Sequence, residues 1–349
     1  MKQNYKYTKT IRFWLLTGLI MLIGQVILGG ITRLTGSGLS ITRWDIITGV
    51  IPPLNAEEWV EAFELYKATP QFHKINATFN IADFKFIYFW EYFHRLWVRS
   101  LGFIFLIPFI IFLLKKKIDS YLVKRLVVVV LLTMLTASAG WIMVKSGLIN
   151  RPWVNAYKLT IHFVLAMFVV VAMVKTVADV YNFETKTKVS KKLLSITIAI
   201  TFLQMVFAGL MAGMKAGLYY PTWPSMDGEA IPQVLKIGEN WTWANMINYD
   251  SYLFAPALIQ FIHRLLAYTL LALTIVLFYK LKNKLEKLSS LWLNYTAVLI
   301  VAQVVLGILT VVNVEGKIPL LLGVTHQLVG LLYLISLYFL YYSIRNKNA

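Results

Sequence analysis

Glu91-Tyr92-Phe93-His94-Arg95 and Gln260-Phe261-Ile262-His263-Arg264 are the two segments that decide how this 349-residue chain is read. Each sets one histidine, followed by one arginine, inside an apolar run long enough to cross a bilayer. His162 and His326 sit in two further runs of the same kind, so four of the five histidines occupy hydrophobic stretches. A histidine in hydrocarbon is costly unless it faces a bundle interior and meets a partner, and four at regular intervals require a common cause. The pattern is that of a membrane protein holding heme. His73 falls in a polar loop and is set aside.

Composition fixes the class. Hydrophobic residues make up 58% of the chain, charged residues 14%, and the mean hydropathy is +0.66, whereas soluble domains carry roughly 25% charge. Runs of about 20 apolar residues read as spanning helices. Eight are expected, near residues 11–31, 84–114, 126–144, 156–177, 193–213, 252–280, 291–312 and 320–343. The expected fold is therefore an all-α integral membrane protein.

The net charge of +18 is topological. With the N-terminus inside, the tail, the 115–125, 175–192 and 280–287 loops and the C-terminus together hold twenty Lys or Arg against four acids, while the outer loops hold eleven of each sign. The positive-inside rule selects that orientation, with both termini cytoplasmic. The excess charge faces anionic lipid and implies no nucleic acid. The first apolar stretch reads as a span rather than a cleavable signal, and the N-terminus does not resemble an Arg- and Ser-rich transit peptide, which favours a bacterial cytoplasmic (inner) membrane. With no cysteine, disulfides, thiolate metal sites and covalent heme attachment are excluded, so any heme is held noncovalently.

An internal repeat organises the spans. At an offset of 179, Gln25 falls on Gln204, Gly30 on Gly209, Gly38 and Leu39 on Gly217 and Leu218, and Trp44 on Trp223. The two His-Arg segments also correspond, as do His162 and His326. Two four-helix halves follow, 1–180 and 181–349. Four spans is an even number, so the halves share one orientation and form a parallel repeat. All four histidines then lie on spans running from outside to inside, roughly 7 to 12 residues from the outer end, about 10 to 18 Å deep. Two histidines at one depth on separate helices can reach both faces of one heme iron. Two bis-histidine sites near the outer face is the economical reading.

The halves differ where chemistry would occur. Glu91 lies three residues before His94, on the same helix face, and Gln260 takes its place in the second half. A carboxylate can move protons and an amide cannot, which assigns chemistry to the first half and a redox cofactor to the second. The alternative is that Glu91 only pairs with Arg95 or Arg99. Arg95 and Arg264 either meet heme propionates or snorkel to the headgroups.

The long outer segment 32–84 contains Asn55-Ala56-Glu57-Glu58, a helix cap, followed by Trp59, Ala62, Phe63, Leu65 and Tyr66 at helical spacing. An amphipathic helix lying on the membrane is expected, either as a roof over the first site or as a plain interfacial helix. The stretch Thr35-Gly36-Ser37-Gly38 lacks a Walker lysine and reads as a tight turn. The 214–251 segment is the second roof.

In Gly29-Gly30-Ile31-Thr32-Arg33-Leu34-Thr35-Gly36-Ser37-Gly38-Leu39-Ser40, Thr48-Gly49-Val50-Ile51-Pro52-Pro53, Phe84 through Arg95, and Gln260 through Arg264, the chain resembles the heme A synthases over nearly its whole length. The long first outer loop is similar to that of the mitochondrial and proteobacterial branch. Other members carry cysteine pairs in outer loops, and any thiol step in them cannot operate here. The resemblance implies oxidation of the C8 methyl of heme O to a formyl group by successive hydroxylations, giving heme A for terminal oxidases. It implies that His94 and His162 hold the substrate heme, that His263 and His326 hold heme b, and that Glu91 is the acid or base beside the reacting methyl. A heme O synthase and an assembling oxidase are the partners that pathway logic suggests. Small-residue faces in the first and fifth spans permit self-association.

Two other classes fit parts of the pattern. A diheme electron-transfer cytochrome would hold both hemes permanently and use Glu91 to tune a potential. A transporter would show broken helices at the bilayer midplane, whereas the polar residues here cluster beside the histidines.

Overall fold

Short polar residues set where the apolar runs become helices. Asn80 accepts from the backbone N–H groups of Ala82 and Asp83 while Asp83 accepts from that of Asn80, a reciprocal capping box. Asp119 and Asn155 cap the next two spans by accepting from first-turn N–H groups, without the reciprocal bond. The computed structural model describes residues 5–43, 51–149, 151–185 and 187–346. In chain order its helices are α1 (Lys9–Leu34), α2 (Ala56–Lys67), α3 (Pro70–Lys74), α4 (Ile81–Leu114), α5 (Ser120–Gly147), α6 (Ala156–Val180), α7 (Lys192–Gly213), α8 (Gln233–Lys236), α9 (Trp243–Ile247), α10 (Phe254–Leu281), α11 (Lys287–Val312) and α12 (Leu320–Ser343). Eight of these, α1, α4, α5, α6, α7, α10, α11 and α12, are long and apolar enough to span a membrane. The chain is an all-α multi-pass membrane protein. Trp44 and the stretch Thr48-Gly49-Val50, used in the sequence comparison, lie outside the described residues.

The end of α1 explains the glycine-rich stretch. Gly36 adopts φ +70°, Ser37 N–H donates to the Thr32 carbonyl at 2.9 Å and Gly36 N–H to that of Arg33 at 3.3 Å, the two bonds of a Schellman stop. At the offset of 179, Lys215 takes the same left-handed conformation after α7, with φ 53°, and its N–H donates to Ala212. Arg33 also reaches across and donates to the Ala212 carbonyl, joining the last turns of α1 and α7.

α6, α12, α1 and α7 bury the largest shares of their surface and α5 the least. α1 packs on α4, α6 and α12, α7 packs on α6, α10 and α12, and α6 meets α12. The resulting core joins Leu15 and Leu19 of α1, Leu126 of α5 and Met173 of α6 to Leu331 and Leu334 of α12. A second core joins α7, α10, α11 and α12, so α12 contributes to both. On the face carrying the described terminal residues, two-residue strands β1 (Lys188–Val189) and β2 (Arg345–Asn346) pair in parallel. Thr185 fastens the same place by donating from N–H and Oγ1 to the Ser343 carbonyl.

The amphipathic helix forms where its cap predicts, but its apolar face is used differently. Phe63 and Tyr66 of α2 are buried against Phe84 and Ile87 of α4 instead of being offered to lipid. Burying two such aromatics is worth about 1.5–3 kcal/mol each relative to water. His73, expected in a loop, is exposed on the short α3.

Candidate heme sites

α6 and α12 each aim one histidine by a bond to the neighbouring helix backbone. His162 Nδ1 lies 2.8 Å from the Thr136 carbonyl of α5, and His326 Nδ1 lies 3.1 Å from the Gln303 carbonyl of α11. A carbonyl only accepts, so each Nδ1 carries the proton and each Nε2 keeps its lone pair for a ligand. Metal-ligating histidines are typically oriented in this way. Both rings rest on a glycine. A Cβ at Gly140 would stand 2.9 Å from His162 Cε1, and one at Gly307 would stand 2.9 Å from His326 Cε1.

α10 supplies the partner of His326. The rings of His263 and His326 have centroids 6.4 Å apart at 63°. Gln204 Nε2 lies 3.3 Å from His263 Nε2, and Gln303 Nε2 lies 3.3 Å from His326 Nε2. Each amide N–H therefore occupies a lone pair that a metal would take. His263 Nδ1 and the Oε1 atoms of Gln204, Gln260 and Gln303 are buried without a partner in the protein. Orphaned buried polar atoms gathered around two facing imidazoles mark a place built for a ligand. Among the described residues no group of three or more His, Cys, Asp or Glu converges on a metal position. Two imidazoles supply two ligands only, which fits a macrocycle that brings its own in-plane nitrogens.

α4 carries the repeat counterpart of His263. His94 Nε2 faces α1, 3.5 Å from where a Cβ at Gly29 would stand. The ring-to-ring contact of the second pair has no counterpart here. The histidines lie thirteen residues into α4, six into α6, nine into α10 and six into α12. All fall in the half of the bundle nearest the 35–80 and 214–253 segments.

Glu91 and Gln260 hold the roofs of the two sites by opposite hydrogen bonds. Glu91 is 2% exposed. Its Oε2 accepts from Ser40 Oγ at 2.7 Å and from Ile41 N–H at 2.8 Å, and its Oε1 pairs with Arg95 Nη2 at 2.5 Å. Gln260 Nε2 instead donates to the Tyr220 carbonyl at 3.0 Å, and Tyr220 is Ile41 displaced by 179. Arg95 donates to the carbonyls of Ile41 and Arg43, while Arg264 donates to those of Tyr220 and Ser225. Both arginines thus anchor roof loops. The pairing of Glu91 with Arg95, one of the two readings of the sequence, is present. Behind it runs a buried polar chain in which Asn76 donates to the Tyr66 hydroxyl, Tyr66 to Gln71, and Gln71 to the Gly36 carbonyl.

Sequence reasoning missed the site roles of Gln204, Gln303, Ser40, Gly140 and Gly307. An uncharged amide in the middle of an apolar span is the signal that would have found the two glutamines.

Residues 12–338 match the sequence family described as cytochrome oxidase assembly protein. The chain is 36% identical to the heme A synthase of Flavobacterium johnsoniae, covering 93% of this chain and 95% of that protein. It is 38% identical to the heme A synthase of Nitrosospira multiformis, over 95% and 92% of the two chains, and 37% identical to that of Wolbachia pipientis wMel, over 98% and 96%. The chain belongs to the heme A synthase family. Within that family frame, the two imidazole pairs are the candidate heme sites and the Glu91 cluster is the polar feature that distinguishes one from the other.

Proposed function

We infer that this protein is an oxidoreductase that converts heme O to heme A, oxidising the C8 methyl to a formyl group by two hydroxylations, through an alcohol and then a geminal diol that loses water. Full-length similarity to heme A synthases supports the reaction. The observation that carries the assignment within the chain is the opposite bonding of Glu91 and Gln260. In the first half, 1–180, His94 and His162 hold the substrate heme and Glu91 takes or gives the proton near the reacting methyl. In the second half, 181–349, His263 and His326 hold heme b, which supplies one-electron redox chemistry when bound. In this reading Arg95 and Arg264, which anchor the roofs, would also meet the heme propionates. Both sites face the outer side of a bacterial inner membrane, with the termini in the cytoplasm.

Glu91 presents an acceptor and no donor to its surroundings, since its two oxygens receive three hydrogen bonds. Ser40 is the neutral hydroxyl among those donors, so a proton can be taken up at Oε2 without breaking the ion pair to Arg95. Ile41 N–H and Arg95 keep the carboxylate aimed while that proton moves.

Heme extraction and chromatography from membranes of a host making heme O, with and without this protein and with Glu91→Gln, tests the reading. Heme A or its alcohol precursor appearing only with the intact protein supports it. Bound heme b with heme O unchanged would instead favour a diheme electron-transfer cytochrome.

A further inference from the structure

The helices α1, α4, α5 and α6 form an incomplete ring. α4 packs on α1, α1 on α6 and α6 on α5, but no comparable packing closes α4 against α5 among the described residues. In the last four spans the equivalent seam is shut, because α10 packs on α11.

The sequence explains the difference. Counting from His94 and His263, α4 carries Gly102 and Pro108 where α10 carries Leu271 and Leu277. Leu277 is 2% exposed, whereas a Cβ at Gly102 would meet nothing within 4 Å. Pro108 lies inside α4 and has no N–H for the Ile104 carbonyl one turn earlier. That carbonyl instead accepts the Trp14 indole N–H at 3.1 Å, which ties the proline turn of α4 to α1.

The seam leads to the first histidine pair. His94 belongs to α4, one lip, and His162 rests on Gly140 and the Thr136 carbonyl of α5, the other lip. Apolar residues including Phe103 and Ile107 of α4 and Leu131 and Leu135 of α5 are exposed along the two helices, as lipid contact demands. On the water side, Glu91 ties the roof down at Ser40 and Ile41. We propose that the α4–α5 seam is a lateral portal through which the flat, apolar heme substrate passes edge-on between the bilayer and the first histidine pair, while the closed α10–α11 seam retains the cofactor in the second. This rests on the first pair being the substrate site.

The test gives α4 the residues of α10, in the double variant Gly102→Leu/Pro108→Leu, which restores a helical hydrogen bond and so does not threaten folding. Transfer of heme O from liposomes into the protein is followed at the Soret band, with His94→Ala identifying the phase that belongs to the first pair. The double variant slows that phase by about tenfold or more, as expected for a gating step, and keeps its heme b. A second arm exploits the absence of cysteine. Phe103→Cys with Leu131→Cys, bridged by a reversible thiol reagent, arrests transfer until reductant is added, and Ala272→Cys with Val298→Cys across the closed seam does not. Transfer at the parental rate in both the leucine variant and the bridged pair overturns the portal. If the parent takes up heme O by this phase but makes no heme A, the functional reading fails and the portal stands. If His94→Ala leaves every phase intact, the first-pair assignment and the portal fall together.

Discussion

Ser40 Oγ donates to Glu91 Oε2 over 2.7 Å, both groups buried, across fifty-one residues of sequence. The same oxygen accepts from Ile41 N–H, so the carboxylate three residues before His94 also ties down the roof. Glu91→Gln would turn an amide N–H toward a backbone N–H if it copied Gln260. We expect it to abolish heme A formation while heme b remains bound, and to expose the 37–43 loop to protease. Ser40→Ala leaves the carboxylate aimed by two donors and is expected to cost about 1.5–3 kcal/mol, the worth of a hydrogen bond to a charged group. Single-turnover rates and thermal midpoints of the two variants separate proton handling from anchoring, and full activity in Glu91→Gln would remove the residue from the chemistry.

Gly140 and Gly307 are expected to be intolerant of even one methyl. A Cβ at 2.9 Å from an imidazole carbon must push the ring off its backbone acceptor. Gly307→Ala should deplete heme b in the visible spectrum of the purified protein, and Gly140→Ala should keep heme b while losing heme O binding.

Loss of the ligands themselves should divide in the same way. His263→Ala and His326→Ala are expected to purify without heme b. His94→Ala and His162→Ala should retain its bis-histidine spectrum yet convert no substrate. Pyridine hemochrome content per chain measures each case, and retention of full heme b in His326→Ala would refute the second-site assignment.

Acid should release the N-terminal tail before it affects the bundle. The Lys6 ammonium, the Leu122 N–H and the Tyr7 hydroxyl all donate to Asp119, and the Lys6 bond leads in holding that carboxyl down to about 2. The folded value lies below the unfolded one of about 3.9, so this contribution is complete above that pH and is lost as pH falls toward the folded value. The Asp119 side chain is 37% exposed, and solvent screening keeps the effect local. Protease protection of the segment around Lys6 and Tyr7, followed from pH 5 down to about 2, should fade in the parent and be weak throughout in Asp119→Asn.

Much of this was legible in the chain because hydropathy is a property of segments. All eight spans were visible, and α12 was bounded to the residue at Leu320 and Ser343. The histidines and the Glu91/Gln260 contrast were visible because charged or titratable groups in hydrocarbon stand out. The roles of Arg95 and Arg264 as loop anchors were not, since their acceptors are backbone carbonyls 39 to 54 residues away and every residue has one. The destination of α2 was hidden for a related reason. Phe63 and Tyr66 make an apolar stripe that serves lipid or Phe84 equally well, and only tertiary packing chooses. Pro108 could be seen, but not that Trp14 answers the carbonyl it strands.

The carbonyls of Thr136 and Gln303 that hold the two imidazoles belong to the main chain, and this changes how the sites can evolve. No substitution at those positions short of a broken helix removes the acceptor. A threonine and a glutamine perform the same backbone duty, so the acceptor itself does not depend on which side chain stands there. Selection has its grip instead on what must stay absent, the methyl groups that Gly140 and Gly307 do without.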